Sequence, residues 1–222
     1  MSERAESTQA AAVRGGKAPP KRQRLGREQR RRQLVEAAVR LIGTLGIPGT
    51  TVSKMSAECG LSEMAAYRHF ASKEEILIEA SSYLLGRILE WLDSSANPCV
   101  LERFREIGEN HFDMLSSDLE MFTAPYMQFL TMTQGDAPLH QHVAANNDDM
   151  KAKIEALARE GVAQGSFRPD ADPFLFTHEF VGWFLAEDIH CLTDLRDGTF
   201  SRSSHLRTLA LILRDAAAPA SA

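Results

Sequence analysis

At 222 residues, 44% hydrophobic and 25% charged, the chain is long enough to bury a full hydrophobic core without disulfide or metal staples. Its three cysteines, Cys59, Cys99 and Cys191, have neither paired nor metal-ligand spacing and read as reduced thiols. No apolar run approaches the ~20 residues of a bilayer span, and no apolar segment follows the N-terminal charges as in an export signal, so a cytoplasmic protein with no membrane partner is expected. The net charge of -5 hides an asymmetry: residues 1–75 hold 14 Lys or Arg against 8 Asp or Glu, and residues 76–222 hold 11 against 22. A basic module on an acidic body suits a nucleic-acid contact, although a merely solvated basic surface has the same composition.

Residues 1–25, rich in Ala, Ser, Gly, Pro and charge and lacking periodicity, read as a disordered basic tail. Leu34, Val35, Ala38, Leu41, Ile42 and Leu45 recur at helical spacing and mark an amphipathic helix from Arg27, stopped by Gly46 with Pro48 beyond. Next, Thr50 or Thr51 can cap one short helix and Ser62 another, while Gly60 supplies the left-handed residue that a tight turn between them requires. Ser56 is small enough for a close crossing, and Met55, Leu61 and Phe70 furnish the apolar corner. This is the layout of a helix-turn-helix, with the second helix expected over residues 63–70. Ser72 and Glu75 then form a capping box, Glu75 reaching back to the Ser72 amide, and open a helix with Leu77, Ala80, Leu84, Ile88 and Trp91 on one stripe.

Asn97 followed by Pro98 starts a helix with Leu101, Phe104, Gly108, His111, Phe112 and Leu115 inward. Residues 119–133 contain Pro125 and should be kinked or split. Val143, Met150, Ile154 and Leu157 mark a helix running out at Gly165. Asp172 and Pro173 open another through Leu192, and Leu206, Leu209, Ala210 and Leu213 make the last, before an Ala-rich tail over 217–222. No segment alternates as a strand does. The expected fold is all-α: a three-helix domain over 26–75 and a larger helical domain over 76–216.

The ordered set Thr50-Thr51-Val52, Met55, Gly60-Leu61-Ser62, Tyr67-Arg68-His69-Phe70 and Ser72-Lys73-Glu74 resembles the TetR family of bacterial repressors across residues 30–85. Downstream, only length and helix number correspond. The resemblance implies a transcriptional regulator rather than an enzyme, without cofactor or metal, whose homodimer reads an inverted repeat in double-stranded DNA and releases it when a small molecule occupies the C-terminal domain. Side-chain chemistry points the same way. Ser62, Glu63, Met64, Ala65 and Arg68 lie where base edges would be reached, with Arg68 suited to guanine. Thr51, Ser53, Lys54, Tyr67, His69 and Lys73 are candidate phosphate contacts, though the Tyr67 ring could also pack in the small core. Two positions depart from the family pattern. Met64-Ala65 stands where a small residue followed by Thr is frequent, which substitutes apolar contact with a thymine methyl for hydrogen bonding; Glu63 is acidic at the groove mouth, to accept from cytosine or to face solvent. Arg22, Arg24, Arg27, Arg30, Arg31 and Arg32 are candidates for a minor-groove or phosphate-lining arm, or for a solvated tail.

Residues 173–192 carry Phe174, Leu175, Phe176, Phe180, Val181, Trp183, Phe184 and Leu185 on almost every side of one helix, which must then be covered on both sides. The family's last two long helices build a four-helix dimer interface, which the resemblance places here at Phe180, Gly182, Phe184, Leu209 and Leu213; complete burial within one protomer is the competing reading. A dimer would set half-sites about 34–36 Å apart or somewhat more. Phe104, His111, Phe112, Phe122, Tyr126, Met127, Phe129 and Trp183 are candidates to line an apolar effector pocket, against an ordinary filled core. Glu187 and His190 form one Glu-x-x-His, but a di-iron bundle needs a second such motif and further glutamates. His140 and His142 lack helical ligand spacing. A regulator governed by a protein partner instead of a small molecule is the remaining alternative.

Overall fold

The computed structural model describes residues 26–117, 119–132, 137–193 and 201–218, and these are helical nearly throughout. The N-terminal domain comprises α1 (Arg27–Gly49), α2 (Val52–Glu58) and α3 (Glu63–Ala66). α1 buries Leu34, Val35, Ala38, Leu41 and Ile42 as its periodicity requires. Its regular course breaks at Gly46, whose φ of 70° is open to glycine without a Cβ clash. One more turn carries Pro48. Thr50 then closes the end, its amide and hydroxyl both donating to the Gly46 carbonyl, at 3.1 and 2.9 Å.

Thr51, and not Thr50, caps α2 by accepting from the Lys54 amide at 3.3 Å, and Ser62 caps α3 by accepting from the Ala65 amide at 3.2 Å. Between them Gly60 turns at φ 62°, and the buried Ser56 donates its hydroxyl to the Val52 carbonyl at 2.7 Å. α3 is shorter than the eight residues expected. It ends at Ala66, and residues 67–70 continue as hydrogen-bonded turns from Arg68 to Ala65 and from His69 and Phe70 to Ala66. This course brings the Phe70 ring into the core shared by Met55, Ala66 and Ile76, a tertiary demand that local periodicity does not contain.

α4 (Lys73–Leu92) opens on a shifted capping box. Ser72 Oγ accepts from the Glu75 amide at 3.1 Å, but Glu75 Oε2 reaches past Ser72 to the Ala71 amide at 2.6 Å. That bond, with Arg31 beside it, holds the Glu75 carboxyl below the usual carboxylate range. α4 runs unbroken through residue 75, so the expected domain boundary falls inside a rigid helix. α5 (Val100–Ser117) begins later than Pro98, because Asn97 Oδ1 accepts from the Cys99 amide at 3.0 Å and makes an Asx turn first. A π-helix (Leu119–Thr123) leads into α6 (Ala124–Met132), the split expected around Pro125. α7 (Ala137–Gln164) stops at Gly165, φ 78°. α8 (Pro173–Leu192) is capped by Asp172 Oδ1, which accepts from the Phe174 and Leu175 amides at 2.9 and 3.4 Å, and α9 (Arg202–Ala216) follows. The start of the supposed C-terminal tail is pinned: the Ala218 amide donates to the Ser166 carbonyl at 3.1 Å and the Arg168 amide to Ala216 at 2.9 Å. Residues 1–25 and 219–222, also read as tails, lie outside the described residues.

The larger domain is built around stacked aromatic rings. Phe104, Phe167, Phe176 and Phe180 meet at centroid distances of 4.7 to 6.1 Å. The four large residues expected at a dimer interface, Phe180, Phe184, Leu209 and Leu213, are all buried in this core and present no surface to a partner. The reason is which stripe of α8 faces inward: Phe176, Phe180, Trp183, Phe184 and Glu187 lie on the side toward α5 and α9. α5 and α9 approach so closely that a Cβ on Gly108 would stand 2.1 Å from Leu209 Cδ2. Of the five interface candidates, only Gly182 is exposed, with open space above it. Among the described residues, no helix is long and apolar enough to cross a membrane.

Candidate DNA-binding surface and effector cleft

The caps of α2 and α3 decide what the N-terminal domain shows to solvent. Thr51, Ser53, Lys54, Ser62, Glu63, Met64, Tyr67 and Arg68 are exposed and Ala65 is half-buried, while Val52, Met55 and Ala66 turn inward. Met64 is 72% exposed, which is a large unpacked apolar surface for a residue at the front of a short helix. Tyr67 is 45% exposed, so its ring is not a core element. These exposed residues bracket a single helix-turn-helix corner, and they include most of those expected to contact bases and phosphates.

Three expected contacts are turned inward instead. Lys73 donates Nζ to the Ile47 carbonyl at 3.0 Å, closing the end of α1, and burial pulls its ammonium below the usual lysine range. The half-buried His69 is held below the ordinary imidazole value, first by burial and then by Arg27, Arg30, Arg31 and Arg68, which favours the neutral ring over a phosphate-pairing cation. Arg31, proposed for a DNA-lining arm, folds onto Glu75 and Glu79 of α4. Lys54 stays exposed, although its Nζ reaches the Gly49 carbonyl at 2.8 Å.

The expected effector residues divide into two groups. Phe104, His111 and Trp183 belong to the filled aromatic core, and Phe112 lies half-buried at 5.5 Å from the His205 ring, so none of the four lines a cleft. Tyr126 lines an open cleft, and Phe129 a small void next to it. An open cleft of about 330 Å³ runs between α6, α7 and α8 with Tyr126, Leu130, Val143, Val181 and Leu185 in its walls and Lys151 and His140 at its rim. A second, small void of about 20 Å³ lies behind it against α4, lined by Ser81, Leu84, Ile88 and Phe129. Tyr126 separates the two, its hydroxyl donating to Asn147 Oδ1 at 2.9 Å. Burial, with the Asp188 carboxylate nearby, pushes the Tyr126 phenol well above its ordinary value, so it remains a neutral donor. Phe122 is buried and stacks at 6.0 Å on Tyr126; Met127 is half-buried. Sequence reasoning missed the α7 and α8 walls, because Val143 and Leu185 look like any core residues until the helices are placed.

Behind the cleft two buried acid–imidazole pairs join α5, α8 and α9. His111 Nε2 lies 3.3 Å from Asp188 Oδ1, and His205 Nδ1 lies 3.1 Å from Glu187 Oε2 while its Nε2 meets the Gly108 carbonyl at 3.0 Å. Glu187 is thus committed to His205, and among the described residues no group of three or more His, Cys, Asp or Glu is arranged to hold a metal. Burial pushes the Asp188 carboxyl up, against the opposing pull of His111 and His205 and with Glu187 adding to the rise. A carboxyl raised in the folded state keeps its proton to higher pH than in the unfolded chain, so its contribution to stability declines as pH rises from the ordinary carboxylate range through the raised value. Asp188→Asn, which cannot ionise, should therefore gain denaturant midpoint relative to wild type as pH rises above the ordinary carboxylate range of about 4. A midpoint difference that stays constant with pH would show that Asp188 is already stably ionised.

Residues 34–80 match the family described as "Bacterial regulatory proteins, tetR family". The chain is 29% identical over 147 residues to the HTH-type transcriptional repressor KstR2 of Mycolicibacterium smegmatis, an alignment spanning 64% of this chain and 70% of that protein. Among solved structures, the transcriptional regulator FadR from Bacillus subtilis in complex with stearoyl-CoA superposes with a TM-score of 0.69 at 19% identity, covering 83% of this chain and 98% of the other. The ketosteroid transcriptional regulator KstR2 of Mycobacterium tuberculosis gives a TM-score of 0.57 at 22% identity over 86% and 96% of the two chains. Both of these share the fold. With a helix-turn-helix whose caps, glycine turn and exposed corner are all in place, residues 34–80 form a DNA-binding domain of the TetR type, and the chain is a DNA-binding transcriptional regulator.

Proposed function

We propose that the protein is a homodimeric repressor that reads an inverted-repeat operator with Ser62, Glu63, Met64, Ala65 and Arg68, and that leaves the operator when an apolar effector enters the cleft beside Tyr126. The observation that carries the reading is the continuous exposed corner from Thr51 to Arg68, where a helix front offers polar, apolar and cationic groups together. Thr51, Ser53, Lys54 and Tyr67 flank it and would fix register on phosphates. Dimerisation is supported by a second stripe of α8: Leu175, Glu179, Gly182, Ala186 and Ile189 recur every three or four residues and are all exposed. On α9 Ala210 and Leu211 are exposed as well, and the small residues at the centre of the α8 stripe permit close helix packing.

The effector reading is supported by where α6 lies. It puts Tyr126 in the cleft wall, Phe129 in the small void behind it and Gln128 against the end of α1, with Gln128 Oε1 only 3.1 Å from where a Cβ on Gly46 would be. A ligand that displaces Tyr126 therefore pushes on the helix that carries the DNA-binding domain. The apolar walls suit a hydrophobic body with one hydrogen-bonding group, in keeping with the acyl chain of the stearoyl-CoA and with the ketosteroid named for two structural neighbours.

Selection of duplexes from a random pool by the full-length protein should return an inverted repeat. Arg68→Ala should then bind the selected duplex about 5- to 150-fold more weakly and tolerate substitution at one base pair of each half-site, as expected for a lost guanine contact of roughly 1–3 kcal/mol. Stearoyl-CoA or a ketosteroid added to the wild-type complex should release the duplex. Recovery of no shared sequence would reject the operator reading, whereas release by neither compound, with no thermal stabilisation, would favour control by a protein partner.

A further inference from the structure

Among the described residues, Arg31 is an N-terminal arginine drawn across the domain onto α4. From α1 its guanidinium reaches three places 38 to 48 residues along the chain. Nη1 donates to the His69 carbonyl, in the turn that ends the recognition segment. Nη2 donates to Glu75 Oε1 at 2.9 Å and also to Glu79 Oε1, two carboxylates one turn apart on α4. Its Cζ lies over the ring of Phe70, the next residue of the same turn, 4.1 Å from the centroid. Only a planar fork with five donors can meet a carbonyl, two carboxylates and a ring face at once. The side chain is 18% exposed, so these contacts are screened less than an ordinary surface pair.

The neighbours make this more than a fold-stabilising contact. Glu75, held by Arg31 through Oε1, binds the Ala71 amide through Oε2, so His69, Phe70 and Ala71 are each tied to the Arg31 cluster. These three residues lie in the 67–72 connection between α3 and α4, whose conformation sets the tilt of the recognition helix. α4 in turn contributes Ser81, Leu84, Leu85 and Ile88 to the void behind Tyr126. The geometry points to Arg31 as a positioning residue for sequence reading: a strut that fixes the recognition segment to α4, and not a phosphate contact. This rests on the DNA-binding assignment and on no particular effector.

The two roles leave different signatures. An arginine gripping a phosphate contributes equally to every sequence and adds about one unit to the salt slope of binding. A strut contributes to the correct sequence alone and adds nothing to the slope. Full-length wild type, Arg31→Met and Arg31→Lys should be titrated against the selected duplex and a scrambled one at several salt concentrations, with amide exchange followed in the free proteins. Arg31→Met is expected to lose tenfold or more in the ratio of specific to nonspecific affinity with an unchanged salt slope. Exchange across residues 62–71 should quicken while α8 keeps its protection. Arg31→Lys should recover part of both effects, since an ammonium can hold a carboxylate but not the carbonyl and ring together. A slope lower by about one with the ratio intact would overturn the strut and make Arg31 a phosphate contact; unaltered exchange over 62–71 would overturn it too. If wild type itself does not distinguish the duplexes, the operator reading fails, and the exchange data still decide the strut.

Discussion

Phe180→Ala is expected to cost the protomer roughly 3–5 kcal/mol of stability, lowering the Tm by about 6–20 °C for a chain of this size. The side chain is fully buried and touches Trp91, Phe104, Phe176, Trp183 and Phe184 at ring separations of 5.0 to 6.3 Å. Five aromatic neighbours in fixed T-shaped and stacked arrangements cannot all collapse into the space a phenyl ring leaves, so the loss combines transfer free energy with a residual cavity. Thermal unfolding of the variant at two widely separated protein concentrations checks the assignment. A core residue lowers the Tm equally at both, whereas an interface residue, as the sequence alone suggested for Phe180, would lower it mainly by shifting the dimer equilibrium. A Tm within 2 °C of wild type would mean that the ring is not part of the packed core.

Gly182→Arg should have the opposite profile: a protomer of undiminished stability that has lost its operator. Beyond the local helix backbone, no heavy atom of the protomer lies within 4 Å of a Cβ placed at this residue, so a side chain starts there in open space. Loss of a helix-interior glycine even favours the helix, by up to about 1 kcal/mol. Across the proposed interface the effect reverses. Helices that pack through a small-residue stripe approach to about 8–10 Å, and an arginine at the centre of Leu175, Glu179, Ala186 and Ile189 blocks that approach by its bulk. Monomers in light scattering, and an affinity for the inverted repeat reduced about 10²- to 10⁴-fold, are the expected results, because joined half-site contacts give that much advantage over single ones. A variant that remains dimeric would place the interface elsewhere.

Much of the fold is legible in the sequence because the signals are local. Ser62, Ser72 and Asp172 stand as caps where they were expected, and Gly46, Gly60 and Gly165 take the positive φ that their places at helix ends require. Each is decided by hydrogen bonds within three or four residues or by the glycine's own missing Cβ, so no knowledge of the distant chain is needed. The helix-turn-helix is legible for the same reason, since its caps, turn and small crossing residue fall within about twenty positions.

What the sequence withheld depends on which helix lies opposite which. Residues 173–192 are apolar on nearly every side, and a helix of that kind carries no record of its inward face; only the placement of α5 and α9 assigned Phe180 and Phe184 to the core and left Leu175, Gly182 and Ile189 outside. Likewise Lys73 and Arg31 read as cations free for DNA until the Ile47 carbonyl and the Glu75 and Glu79 carboxylates, 26 to 48 residues away, came within reach. Composition and periodicity thus determined the helices, their ends and the kind of domain they form. Tertiary packing alone decided which apolar side became core, which charges were neutralised and where the cleft opened, because burial and ion pairing depend on spatial neighbours and not on the order of residues along the chain.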